Sequence, residues 1–377
     1  MAHRTPTRIV LVLGVALAVL GATVGPALAA GPAGQTTPDT GTTLAAPDAC
    51  SFPVTRTDAT GTTVTVPAAP ETVVTLAPSA AQTMWEIGAR EKVIGVSKYA
   101  TYLEGAASRT NVSGAGRAFV VTEKVVNLTP DLVLAPNVIP NATVRNLRSA
   151  GLTVYKFRAA QSLADIVEKT RLTGRLVGAC EGADRRADAM ERTLSRIRET
   201  VADTEEPRVL YYMGGGFTAG SKTFIHTIIE SAGAENVAAN AGIETYRRIS
   251  REIVLTRNPQ WIVKGSSIAH LPRTQAYNET IAVETGQVVT VNADYLSQPA
   301  PRTVRVVRRL AETFHPDAFA AAGTATATET TSTRTTTATE GTPQESATTR
   351  TTTATTPGLG IPIAVLSMLL VGRFLHE

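Results

Sequence analysis

What this chain has little of narrows its chemistry first. Aromatic residues are only 5% of 377, and there are five histidines and two cysteines. His3, His226, His270, His315 and His376 show no metal-ligand spacing, and no His-Glu-x-x-His stretch occurs. A nucleophile elbow is also missing, so neither a hydrolase nor a metal enzyme is signalled. No catalytic residue, metal or cofactor is assigned, and the chain is not expected to be an enzyme. An excess of one charge is lacking too. Lys plus Arg is 36 against 32 for Asp plus Glu, a formal +4, and Arg4 and Arg8 lie in a segment expected to be removed. That balance argues against a nucleic-acid partner. The stretch 215–223 has the outline of a phosphate loop, but Ser221 stands between the second glycine and Lys222, which speaks against a nucleotide site. Long apolar runs are absent near the end of the chain. The apolar run from 361 to 371, about 11–15 residues counted with its flank, makes a helix of roughly 17–23 Å, short of the roughly 30 Å hydrocarbon core.

The two ends carry targeting signals. A basic start to Arg8, an apolar stretch from Ile9 to Val24 and the small-x-small site Ala27-Leu28-Ala29 predict a secretory signal over 1–29. A Gly-, Pro- and Thr-rich leader follows over 30–53. The Thr- and Ala-rich segment 323–356 has no apolar periodicity and predicts an extended stalk, up to about 100 Å if stretched. Residues 357–377 read as a sorting or anchor segment, similar to the tripartite archaeal tail with Leu359 in place of its Phe. The chain is therefore expected to be exported and tethered by its C-terminal stalk to the outer face of the cytoplasmic membrane. In that setting Cys50 and Cys180 either pair, pinning the N-terminal strand onto a helix, or remain two buried thiols. Asn111, Asn127, Asn141 and Asn278 begin glycosylation sequons by pattern.

Between the ends the sequence repeats itself. Thr122-Glu123-Lys124-Val125-Val126 leads to Pro130-Asp131-Leu132-Val133. Arg251-Glu252-Ile253-Val254-Leu255 leads to Pro259-Gln260-Trp261-Ile262 at the same interval. Each copy reads as a short helix, a proline stop and a buried parallel strand. The fold class is therefore α/β, with two related lobes over 54–158 and 204–322. Val54–Val66 alternates around Gly61 and predicts a hairpin. A helix is expected from Ser79, with Gln82 in the capping-box position. Ser162 and Asp165 form a second capping box, opening a helical stripe that runs to about Val201, about 60 Å if unbroken. Gly174, Gly178 and Gly182 allow a bend or break in this connecting segment, 159–203.

Glu123 and Glu252 each open a helix, where a carboxylate ordinarily offsets the helix dipole. Their equivalence in two lobes suggests a grip on paired basic residues of a two-fold partner. Tyr99, Tyr102, Phe217, Tyr246 and Tyr295 fall at the loop ends of predicted strands, where parallel sheets bind ligands, with Asp294, Gln298 and Arg302 as polar neighbours.

At this point the chain resembles a family. Val74-Thr75-Leu76-Ala77-Pro78-Ser79, 126–133, Phe217-Thr218-Ala219-Gly220, 249–255 and Ala300-Pro301-Arg302 are similar to the substrate-binding proteins of the cobalamin and iron-siderophore ABC importers, most of all to the cobalamin-binding members. The resemblance covers about 71–314. It implies a periplasmic-binding-protein-like fold of two Rossmann-like lobes joined by a single long helix. It implies that Glu123 and Glu252 salt-bridge to a permease dimer, which works with its ATPase. It places Tyr99, Phe217, Tyr246, Asp294 and Tyr295 facing the ligand. Tyr246 replaces a pocket tryptophan of the family, the loop 114–119 differs, and Ser297 and Gln298 stand where an acidic–basic pair is expected. The implied ligand is cobalamin, with a ferric siderophore or haem as the alternative. A stalked surface adhesion protein is the reading from another class.

Overall fold

The structure is a computed structural model and describes residues 50–114 and 120–324. The signal segment, most of the leader and stalk, the tail and residues 115–119 lie outside the described residues. Parallel strands covered on both faces need apolar side chains at every position, and this requirement shapes both lobes. The first lobe opens with the antiparallel hairpin β1 (Val54–Thr57) and β2 (Thr63–Val66). Then come β3 (Val73–Thr75), α1 (Pro78–Glu86), β4 (Val93–Val96), β5 (Thr110–Asn111), α2 (Thr122–Val126), β6 (Leu132–Ala135), α3 (Asn141–Ser149) and β7 (Val154–Lys156). The sheet is parallel in the order β5-β4-β3-β6-β7, and every residue of β3 and β6 is buried.

Next come α4 (Leu163–Val177) and α5 (Cys180–Val201). The second lobe contains β8 (Arg208–Tyr212), β9 (Phe217–Ala219), α6 (Phe224–Ser231), β10 (Glu235–Asn236), α7 (Val237–Asn240), β11 (Tyr246–Arg248) and α8 (Arg251–Arg257). It ends with β12 (Trp261–Gly265), α9 (Gln275–Asn278), α10 (Ile281–Glu284), β13 (Val288–Val291), α11 (Ala293–Leu296) and α12 (Thr303–Phe314). Its parallel sheet runs β10-β8-β12-β13, and β9 and β11 form a separate antiparallel ribbon.

The helical stripe between the lobes breaks at Gly178, whose φ of 70° is left-handed. The Ser162–Asp165 capping box forms as expected. Arg171 of α4 reaches Asp184, Asp188 and Glu191 of α5 at 3.3, 2.9 and 2.8 Å, so the helices lie antiparallel, side by side. Leu163, Ile166, Val167, Ala187, Met190 and Ile197 belong to the second-lobe core, whereas Leu176, Val177 and Ala183 belong to the first. Each helix thus touches both cores. The chain crosses between lobes entering α4, returns along α4, and crosses again along α5. At 22 residues, about 33 Å, α5 is the long linking helix of the expected fold. It passes so close to the end of α1 that a Cβ on Gly182 would lie 2.0 Å from the Ile87 carbonyl oxygen.

Cys50 and Cys180 form a disulfide, tying the start of the first lobe to the start of α5. Closing a loop of this separation, 130 residues, stabilises by up to about 5 kcal/mol in the chain-entropy account. One local expectation fails. α1 starts at Pro78 with Ala77 as its cap residue and no side-chain cap, and Gln82 is fully buried because it serves a contact between the lobes.

Candidate functional site

The repeated unit aims both lobes the same way. A helix that feeds a parallel strand runs against it, so its amino end lies at the sheet's carboxyl end. Two sets of hydrogen bonds fix this. Val121, just before α2, donates to Val112 beyond β5, while Asp131, just before β6, accepts from Thr72 at the start of β3. In the second lobe Ile249, just before α8, donates to Gly216 beyond β8, and Gln260 meets Arg208 at the start of β8. Glu123 and Glu252, second residues of α2 and α8, therefore stand on corresponding rims. Both are exposed, and among the described residues neither has an ion-pair partner within 4 Å. The repeat extends to backbone conformation. Thr129 (φ 44°) and Asn258 (φ 39°) are the non-glycine residues with positive φ among those described, and each directly precedes the stop proline of its copy.

Between these rims lies a cleft of about 820 Å³. The first lobe contributes the residues after β3, β4 and β6: Pro78, Ser79, Lys98, Tyr99, Tyr102, Asn137 and Val138. The second contributes those after β12 and β13: Ser267, Asp294, Ser297, Gln298 and Pro299. This is the carboxyl-end crevice that parallel α/β sheets offer to ligands. Large apolar side chains are left exposed beyond the carboxyl ends of the strands, and Tyr99 and Val138 among them line the cleft. Tyr99, Val138 and Met213 follow β4, β6 and β8, and Phe217 and Tyr246 stand on the ribbon that grows from the β8 end.

The family model described as periplasmic binding protein matches residues 73–295. The chain belongs to this family. Its members bind solutes and are not enzymes, as the missing catalytic motifs led us to expect. A cobalamin-binding protein of Halobacterium salinarum is 42% identical over 278 residues, covering 71% of this chain and 75% of that one. Among solved structures, the periplasmic vitamin B12-binding protein BtuF of Vibrio cholerae is 26% identical with a TM-score of 0.57, covering 65% of this chain and 96% of that one. The periplasmic haem-binding protein RhuT of Roseiflexus, in its apo form, is 26% identical with a TM-score of 0.60, covering 66% and 99%.

Within this periplasmic binding protein the expected ligand residues divide into groups. Tyr99, Tyr102 and Asp294 line the cleft directly. Burial pushes the Tyr102 phenol up to about 12, and Gln82 Nε2 donates to its oxygen at 2.8 Å, which leaves the phenol's own proton to be donated. Tyr295 packs behind, its ring centroid 6.4 Å from that of Tyr102. Phe217 and Tyr246 share one face of the β9–β11 ribbon with Arg248, which lies 5.1 Å over the Phe217 ring; they do not line the cleft itself. Arg302 is held beneath it. Its Nε donates to Glu86 at 2.6 Å, its backbone N–H donates to Gln82 at 2.8 Å, and its guanidinium stacks 5.4 Å from the Tyr295 ring. Glu86, with 10% of its side chain exposed, also meets Arg186 at 2.9 Å and Arg305 at 3.6 Å. One first-lobe carboxylate thus gathers a guanidinium of the linking helix and two of the second lobe.

Sequence reasoning missed Lys98, Asn137, Val138 and Ser267. The carboxyl-end rule that found the tyrosines applies to them equally, since each follows a strand. Among the described residues no cluster of His, Cys, Asp and Glu could hold a metal ion, and no helix is long and apolar enough to cross a membrane.

Proposed function

We propose that this protein is the substrate-binding component of an ABC importer, capturing cobalamin between its lobes and delivering it to a permease dimer. The observation that carries the importer role is the pair of exposed glutamates at equivalent points on the two rims, neither ion-paired among the described residues, flanking one cleft. Two like carboxylates on a pseudo-two-fold body complement two basic sites on a two-fold partner. Cobalamin is favoured by the relative at 42% identity and by a cleft that combines tyrosine faces with hydrogen-bonding groups, the charged Lys98 and Asp294 among them. In this reading Tyr99, Tyr102 and Asp294 contact the ligand directly. Phe217 and Tyr246 cover its outer side, and Tyr295 and Arg302 brace the wall. Export and tethering through the C-terminal stalk place the lobes at the outer membrane face.

Haem is the second reading, favoured by the likeness to RhuT. Burial weighs against Tyr102 as an iron ligand, since it opposes formation of the phenolate. Titration calorimetry of the full-length protein with cobalamin, haem and a ferric siderophore separates these readings. Saturable cobalamin binding with neither competitor bound is expected; absence of binding to all of them overturns the transport role.

A further inference from the structure

A second concave space lies on the flank of the molecule, away from the cleft. It measures about 900 Å³, against about 820 Å³ for the cleft, and is bounded by β1, the chain leaving β7, and α4. Its walls carry Arg56, Arg158, Lys169 and Arg175. Among the described residues none of these has a carboxylate within ion-pair distance. Arg171 also borders the space, but it is drawn across the helix pair to Asp184, Asp188 and Glu191. Of the two bordering carboxylates, Asp165 is engaged as the α4 cap by the Gln161 and Ser162 N–H groups at 2.6 and 2.9 Å, leaving Glu168 as the open negative group.

The wall cations differ in their partners, and Arg56 Nη1 donates to the Thr55 carbonyl at 2.8 Å. Arg175 Nε is buried and unpartnered. Lys169 Nζ has the Pro299 carbonyl as its partner. Lys169 as a whole residue is half-buried, and burial of its ammonium pushes its pKa down to about 8. Like charges around a common void repel one another, and an oxyanion entering there relieves that repulsion and gains charge-assisted hydrogen bonds. The floor is apolar: the rings of Tyr155 and Phe157 lie edge to face with centroids 5.2 Å apart, and both residues are buried. Arg56 and Arg158 both act electrostatically on the Tyr155 hydroxyl, against the opposite effect of burial and of Asp58, which together hold the phenol above its ordinary value.

The geometry points to this flank crevice as a second ligand site, for a small organic phosphate or carboxylate whose charged end meets Arg56, Arg158 and Arg175 while its apolar body lies on Tyr155 and Phe157. The site is separate from the cleft. Lys169 and Pro299 form the partition, since Lys169 borders the crevice and Pro299 lines the cleft.

The probes are phenyl phosphate, benzoate and inorganic phosphate, titrated into the full-length protein by calorimetry at low ionic strength, where surface charges are least screened. Saturable binding is expected, with phenyl phosphate tighter than inorganic phosphate because of the floor. Binding of phenyl phosphate against benzoate tells a phosphate preference from a carboxylate one. The double substitution R56Q/R158Q, at two exposed positions, is expected to weaken binding at least about tenfold with an unchanged melting temperature. The cleft substitution K98Q is expected to leave it unchanged. The proposal is overturned if no probe saturates, if R56Q/R158Q binds like the parent, or if K98Q alone abolishes binding, which would put the anion in the cleft.

Discussion

The unit running from Glu123 to β6 and its copy running from Glu252 to β12 share a skeleton but close it with different chemistry. The residue after the proline is Asp131 in one and Gln260 in the other, and both accept backbone N–H groups from the start of the neighbouring strand. Asp131 Oδ2 takes those of Glu71 and Thr72 at 2.9 and 2.8 Å, and Gln260 Oε1 takes that of Arg208 at 2.9 Å. The position demands an acceptor, and a charge is optional. The helices differ as well. Ser250 caps α8, whereas α2 has no side-chain cap. Beside Glu123, Lys124 is tied to the Asn111 and Ser113 carbonyls, while beside Glu252 the exposed Leu255 is open. Equal geometry at the two rims therefore comes with unequal surroundings.

The largest expected effect tests whether the rims are equivalent. Replacing both glutamates, Glu123→Ala with Glu252→Ala, should abolish uptake of the ligand into cells while calorimetric affinity stays within about twofold. The two single variants then rank the lobes: equal losses support a symmetric grip, and a dominant Glu252 points to the more open patch around Leu255. Persistent uptake in the double variant would remove the docking role altogether.

Next in size is the seam between the lobes. Glu86→Ala leaves Arg186, Arg302 and Arg305 without their shared counter-charge in a mostly buried place. A loss of about 3 kcal/mol is expected from the denaturation midpoint. A loss below about 0.5 kcal/mol would mean that the halves hold together without this cluster.

The smallest effect separates the two copies by pH. Hydrogen bonds from the Thr72 N–H and hydroxyl hold the Asp131 carboxyl below its ordinary value. A depressed pKa contributes stability that is present above the unfolded value, near 4, and lost as pH falls through the folded one. Acid should therefore loosen the first-lobe sheet through Asp131. Asp131→Asn should flatten the stability curve below about pH 4, and Gln260→Glu should bring the same acid sensitivity into the second lobe. Hydrogen exchange of β3 and β8 reads the two effects separately.

Much of this was legible in the chain. The β1–β2 hairpin, the buried β6 and the Ser162 capping box rest on local chemistry, and local chemistry is what sequence displays. The duplicated glutamate unit was legible because both copies kept the same spacing. What escaped depends on partners far apart in sequence. Gln82 and Glu86 find Arg302 only once both lobes are assembled, so Gln82 looked like a cap and Arg302 like a ligand contact. The break at Gly178 was permitted by the glycines but decided by packing: Gly174 lets Ala183 come so close that a Cβ there would lie 2.3 Å from the Ala183 Cβ.

The repeated passage of the chain between its halves has a mechanical consequence. Two bodies on one strip swing freely, whereas two bodies stitched by adjoining strips can flex only if every strip bends at once. The protein should then behave as a stiff calliper rather than a jaw. In the proposed importer role its gap at rest would select the cargo, and the work of prying it open would fall to the permease.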